Sequence, residues 1–476
     1  MVIFTNMLNE VKKQMKVFNI FSSSLYSAIK YKLNFATFED AVISTCNSLT
    51  HSNYIFTKVI QWGVQEIYND ANIKNNDKLK NYFSTFSSNV PYTPDELQHS
   101  FSIIKRVMQY AESRNETLVI ENGDEFIPMN SGTVALVFKA RLNNVPVIIK
   151  ILRPNIKNKI KEDIDILLCF FKNTFIKKIN GYYIKLDFQK FIENNTDILL
   201  RQCDFDKEVT NAVIFKNNLK NKKNIVIPFM FQHFTETFND VIIMEYLEGP
   251  IAKNVPLEDL KREIEPLQSF FFESLFRYNI LHGDFHLGNI IIMNGGRGDG
   301  SDRGDGSDRG DCSDRGDCDG GGGHNHKIGI IDFGIVHFLT NEDSNKLFDV
   351  LFLSLSQNAN ANAANANAAS LNAFYNILKI SIQFICSDKN QHKTIFEKLN
   401  QDKELEYLIR SENYSANTLI RIINKTMSLE NVELKSSVCQ IMLSTMSGLQ
   451  TIEYVNNNMN LTDLTKLFIN KSIRID

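Results

Sequence analysis

The sequence predicts an α+β chain of two lobes, a small β-rich one and a larger helical one, with a helical extension in front. Three observations predict it. Apolar residues recur at helical spacing through residues 1–120, then change to alternation over 120–150. Two short β-branched runs, NIIIM (289–293) and KIGII (327–331), have strand length and bracket a low-complexity stretch. Helical spacing resumes after residue 340. The boundaries this implies are 1–120 for the extension, 121–247 for the small lobe and 248–476 for the helical lobe.

In the extension, VFNIFSSSLYSAIKYKL and YIFTKVIQWGVQEIY carry the helical period. Thr93-Pro94-Asp95-Glu96 opens a further helix, with Thr93 as N-cap, Pro94 in the first turn and Glu96 closing a capping box. Next, IPMNSGTVALVFKARLNNVPVIIKI reads strand, turn, strand, with Asn143-Asn144 as the second turn. Residues 151–200 look helical. FDKEVTNAVIFKNNL is helical too, with Phe205, Val209, Ala212 and Phe215 on one face. VIPFMF and DVIIMEYLEGP read as strands, and 256–281 as a helix with a phenylalanine-rich buried face. The 294–326 repeat of GDGSDR units cannot bury enough apolar surface to fold, so it is expected as a flexible loop at a hairpin turn. A second low-complexity insert covers 357–369, and 371–470 returns to amphipathic helix.

Several residues call for chemistry. Lys150 sits inside an apolar strand, where an unpaired ammonium would cost several kcal/mol, so it needs a phosphate or a carboxylate such as Glu208. Asp284 precedes Asn289 by five positions, between two apolar runs, and Asp332-Phe333-Gly334 ends the next apolar strand. Asp284 suits orienting or deprotonating a hydroxyl. Asn289 and Asp332 suit magnesium, which takes few protein oxygens and keeps waters. The small residues Ser131, Gly132, Thr133, Val134 and Ala135 at a hairpin tip let backbone N–H groups approach phosphate oxygens. Backbone groups around Glu245 and Tyr246, after the apolar strand, suit an adenine ring. Together these resemble the floor and roof of a protein-kinase-like phosphotransfer site, where positioning and charge neutralisation do the catalysis. No Ala-Pro-Glu triplet follows Asp332 at activation-segment distance, which argues against a kinase with a peptide-docking segment.

Composition narrows the classes. Hydrophobic content of 43% and charged content of 22% are those of a globular protein, and a net charge of −3 gives no electrostatic case for nucleic acid. Seven scattered cysteines, an odd number, argue for a reducing intracellular compartment and against a disulfide framework. Cys312 and Cys318, near His324 and His326, fit no standard zinc spacing. The Arg-Gly-Asp triplets of the repeat fit an adhesion role poorly in such a compartment. No apolar run is long enough to span a bilayer. Lysines 12, 13, 16, 30 and 32 fit an amphipathic first helix better than an arginine-bearing presequence.

Over roughly residues 50–355 the chain resembles the UbiB family of atypical kinases, also called ADCK-type or aarF-type. The matching residues are Lys150 with Arg153-Pro154, the stretch Cys203 to Glu208 leading into Asn211-Ala212, HGDFHLGN, IIDFG, and Lys58-Val59-Ile60-Gln61-Trp62. The last is similar to the family's Lys-x-Gly-Gln signature, with Ile60 for the glycine. The resemblance implies a protein-kinase-like two-lobed fold. It implies ATP and magnesium as cofactors, with Lys150 on the α- and β-phosphates paired to Glu208, Asn289 and Asp332 on the metal, and Asp284 as catalytic aspartate. Residues 131–135 would match the family's alanine-rich loop, and Lys58 and Gln61 would restrict access by large substrates. It further implies slow ATP hydrolysis or small-molecule phosphotransfer tied to isoprenoid-lipid metabolism, with a lipid or small-molecule acceptor and peripheral membrane contact allowed. Gly283 in place of the family's alanine is the form seen in aminoglycoside- and choline-kinase-like enzymes, a rival reading. A non-catalytic nucleotide-binding scaffold is the third.

Overall fold

The computed structural model describes most of residues 15–52, a few positions between 55 and 90, then 92–121, 126–172, 188–293, 327–356, 366–386, 388–410 and 436–456, with isolated positions between 422 and 429. Lys58 and Gln61, the 294–326 repeat with both its cysteines, and most of the 357–369 insert lie outside these residues.

Helix α1 (Phe38–Ser52) belongs to the extension. Helix α2 (Pro94–Ser113) starts as its sequence dictates: the Glu96 N–H donates to Thr93 Oγ1, and the Thr93 N–H donates to the Glu96 carboxylate. The small lobe then runs β1 (Leu118–Ile120), β2 (Asn130–Ser131), β3 (Ala135–Leu142), β4 (Val145–Leu152), α3 (Ile156–Lys172), α4 (Phe188–Arg201), α5 (Phe205–Asn218), β5 (Ile225–Val226), α6 (Gln232–Thr237) and β6 (Val241–Glu245). Strands β1, β3, β4 and β6 form an antiparallel sheet in that order, and β2 also pairs with β3. The β3–β4 turn needs positive φ at both central residues. Asn143 (50°) and Asn144 (67°) supply it, asparagine being among the few residues that tolerate this region.

Strand alternation then decides which side chain faces what. Val147, Ile149 and Ile151 of β4 join Leu136, Phe138 and Ala140 of β3 in a core closed by Ile103, Ile104, Val107 and Ala111 of α2. Each Val, Leu, Ile or Phe so buried contributes about 1.5–3 kcal/mol, so α2 is held by the sheet face it covers. The opposite face carries Ile148 and, two residues on, Lys150, directed to α5 and the second lobe. Both faces are covered, which is why VIIKI reads as a near-continuous apolar run.

The second lobe contains α7 (Ile264–Phe276), β7 (Ile280–His282), β8 (Ile290–Met293), β9 (Lys327–Ile330), β10 (Val336–Phe338), α8 (Asn341–Ser356), α9 (Ala366–Ile385), α10 (His392–Asn400), α11 (Lys403–Arg410) and α12 (Ser436–Val455). Strands β8 and β9 pair antiparallel from Ile290–Ile330 to Met293–Lys327, so the repeat joins the two ends of a hairpin. Strand β7 pairs with β10. Phe270, Phe271, Phe272, Phe285 and Phe333 are fully buried between these strands and α7.

Two local expectations change. Of VIPFMF, only Val226 is in a strand, and β5 pairs parallel to β9 in the second lobe's floor. Pro228 has no N–H to donate, and the Phe229 N–H is taken by the Glu245 carboxylate at 3.0 Å. The helix expected over 256–281 ends at Phe276, and Asn279, at φ 54°, turns the chain into β7.

Candidate active site

Lys150 Nζ lies 2.7 Å and 3.0 Å from the two Glu208 oxygens and 3.2 Å from Asp332 Oδ2. Helix α5 brings Glu208 there. Its N-cap Asp204 accepts from the Lys207 N–H, and Phe205, Val209, Ala212 and Phe215 pack inward. Burial alone would push Lys150 towards neutrality, but Asp332 and Glu208 outweigh it and hold the ammonium above its ordinary range. Glu208 is pushed up to about 7, chiefly by burial and further by the neighbouring Asp332 carboxylate, against the opposing pull of Lys150. The cluster is one positive charge between two carboxylates.

Strand pairing brings the segments that carry Asp284, Asn289 and Asp332 side by side. His282 on β7 faces Val336 on β10, and the Gly283 N–H donates to Ile335 O at 2.7 Å. The Ile331 N–H donates to Asn289 O, which fixes the Asp284–Asn289 loop beside Asp332. Asn289 Nδ2 donates to the Asp284 carbonyl at 2.9 Å. Asp332 has φ 67°, which an aspartate tolerates, and its Oδ1 accepts the Gly334 N–H at 3.1 Å. A carboxylate and an amide on adjacent segments are the donor types that suit magnesium, which would take its remaining ligands from phosphates and water. Among the described residues there is no cluster of three or more His, Cys, Asp or Glu placed to hold a metal ion.

The roof departs from expectation in detail. Ser131 and Gly132 are internally committed. The Ser131 N–H is bonded to Asn130 Oδ1, its hydroxyl to Val90 O, and the Gly132 N–H to Ala135 O. The N–H groups of both residues at the front of the expected loop are thus engaged within the protein. Past β6, the N–H groups of Glu245 and Tyr246 are also engaged, by Phe229 O and Pro146 O. Pro146 has no N–H to return, so the ladder itself offers the Tyr246 carbonyl no donor there.

Three residues were not anticipated in their roles. His282 is buried among Phe215, Phe270, Phe285 and Phe333, and burial pushes its pKa down. Its neutral ring accepts the Asp284 N–H on Nδ1 at 3.3 Å. Asn211 Nδ2 donates to Phe333 O, holding the turn after Asp332. His286 accepts the Gly288 N–H and lies 3.7 Å from Asp284 Oδ2. Only its place two residues after Asp284 hinted at this.

Residues 98–366 match the model of the ABC1 atypical kinase-like domain, more than half of the chain. The chain belongs to this family. Its fold is therefore the kinase-like one, with the β-rich lobe and helical lobe described above. Curated relatives of this ABC1 domain named "Probable protein kinase UbiB" include those of Shewanella halifaxensis, 30% identical over 178 residues (36% of this chain, 32% of that one), and Glaesserella parasuis, 32% identical over 173 residues (34% and 31%). The chain thus spans about a third of the length of the curated relatives it matches. The solved structure of the Rv3197–erythromycin complex from Mycobacterium tuberculosis aligns over 79% of this chain and 87% of that one, at 15% identity and a TM-score of 0.38. No described helix is long and apolar enough to cross a membrane.

Proposed function

We propose that this ABC1-family chain is a magnesium-dependent, ATP-using atypical kinase or ATPase of the UbiB type. The observation that carries the reading is the contact of Lys150 with both Glu208 and Asp332, beside the Asp284–Asn289 loop. Lys150 would hold the α- and β-phosphates, kept in place by Glu208. The tip 133–135 would cover the phosphates through backbone N–H groups, and the Tyr246 carbonyl would accept from the adenine amine. Asn289 and Asp332 would hold magnesium, which when bound neutralises charge on the transferring phosphate. Asp284 would take the proton of the attacking hydroxyl as its oxygen bonds to the γ-phosphorus and the bond to the β-phosphate oxygen breaks. An isoprenoid-lipid-linked acceptor is the class the family suggests. Gly283 no longer favours the aminoglycoside or choline kinase reading, because it has a packing reason of its own in Ile335.

The test is a thermal-shift titration with ATP, GTP, ADP, magnesium and manganese, followed by an ATPase assay with and without lipid vesicles. A magnesium-dependent shift with ATP and slow phosphate release supports the reading. No shift with any nucleotide, in a chain that melts cooperatively, ends it.

A further inference from the structure

The side chain of Arg153 is buried beneath the phosphate-facing loop and is not exposed to the cleft. Its Nε and Nη2 donate to the Gly132 carbonyl at 3.1 and 3.0 Å, and Nη2 also reaches Ser131 Oγ at 2.8 Å and Val90 O at 3.2 Å. Nη1 donates to Glu96 Oε2 at 2.6 Å. The Arg153 N–H takes the Val134 carbonyl at 2.9 Å. Glu96 also accepts from the Thr93 N–H in the capping box and from Lys159 at 3.4 Å.

One guanidinium therefore joins three separate stretches: the chain at Val90, the start of α2, and the loop 131–135. We infer that Arg153 is a positioning residue for nucleotide, setting the direction of the loop's N–H groups and coupling the loop to the first turn of α2 in the helical extension. This rests on the loop's role in the proposed function. In a trans peptide the C=O and N–H point opposite ways. Anchoring the Gly132 and Val134 carbonyls on Arg153 turns the Thr133 and Ala135 N–H groups away from it. A buried arginine cannot shed its proton, so its charge requires these acceptors to stay in place. A lysine offers no planar fork and cannot serve Gly132 and Glu96 together. Order at the start of α2 and order in the loop are thus one event.

The test compares Arg153→Lys and Glu96→Gln with the parent chain, by ATP titration, steady-state ATPase and hydrogen exchange of residues 131–135. Arg153→Lys is expected to raise the KM for ATP about tenfold, the loss of one charge-assisted hydrogen bond, with kcat nearly unchanged. Exchange at Thr133–Ala135 should quicken. Glu96→Gln, on the extension and keeping its cap, should move both readouts the same way by a smaller factor. A lower melting temperature with KM and loop exchange unchanged would reduce Arg153 to a packing residue and overturn the inference. Should Arg153→Lys fail to fold, Glu96→Gln alone decides. If the parent chain binds no nucleotide, the proposed function fails. Loop exchange still tests the clamp: faster exchange in both variants upholds it and parental exchange refutes it.

Discussion

Gly283 and Ile335 fill one space: a Cβ on Gly283 would lie 2.2 Å from Ile335 Cγ2 and 3.0 Å from the Ile335 carbonyl oxygen. The two residues are also joined by the Gly283 N–H to Ile335 O bond that fastens the loop before Asp284 to the segment after Asp332. The glycine is thus forced by close packing against a buried β-branched neighbour, without any special backbone angle.

Gly283→Ala should therefore destabilise the chain by about 1–3 kcal/mol, as overpacking does. Ile335→Ala, which removes Cγ2, should cost less in the Gly283→Ala background than in the parent. Urea unfolding of the four chains measures it. An unchanged midpoint for Gly283→Ala would refute the packing account.

Removing the Lys150 ammonium strands Glu208 and Asp332. Lys150→Met should destabilise by about 3–5 kcal/mol, the usual result of leaving one partner of a buried pair alone. Adding Glu208→Gln should restore most of that loss while leaving nucleotide binding absent. Additive losses in the double variant would show that the two side chains act independently.

Asp332→Asn is a clean probe of the metal. Asparagine tolerates φ 67° and keeps an acceptor for the Gly334 N–H, so the turn is retained. The melting temperature without ligand should change little, and the shift caused by magnesium and ATP together should vanish. A retained magnesium-dependent shift would mean the metal is held elsewhere.

Strands β8 and β9 are paired up to Met293–Lys327, so the hairpin does not depend on the length of what joins them. Closure cost grows only slowly with loop length. Deleting 296–322 should leave ATP binding within about twofold, a change of well under 1 kcal/mol. A chain that folds yet loses binding would give the repeat an active part.

His337 on β10 is buried, and its Nε2 lies 2.9 Å from Ser444 Oγ on α12. Burial, with smaller repulsion from Arg201 and His282, pushes its pKa down to about 4 from 6.5. The folded chain thus binds this proton less readily than the unfolded one. The stability His337 contributes is present above pH 6.5 and is lost as pH falls towards 4, by roughly 3 kcal/mol in full. His337→Gln should flatten that acid limb in unfolding measured between pH 4 and 7. A limb of unchanged steepness would refute it.

Local rules were legible because local chemistry enforces them. The Thr93–Glu96 box, the Asn143-Asn144 turn and the period change at residue 120 each concern residues a few positions apart, where backbone sterics and hydrogen bonding leave few solutions. The separation of Lys150 from its neighbours followed from strand alternation. Asp284, Asn289 and Asp332 were singled out by spacing and residue type alone, and pairing puts their segments side by side.

The sequence by itself determined the α+β class, most of the elements and the pairing of Lys150 with a carboxylate. Only the tertiary structure decided which polar groups are occupied elsewhere: Ser131 and Gly132 tied into the roof, the Glu245 and Tyr246 N–H groups closed, and Arg153 joined to Glu96 across 57 positions. The reason is that hydrogen-bond capacity is finite and buried donors must find acceptors, whichever segment the fold happens to bring. Spacing along a chain specifies neighbours in an element, whereas packing between elements assigns those remaining partners.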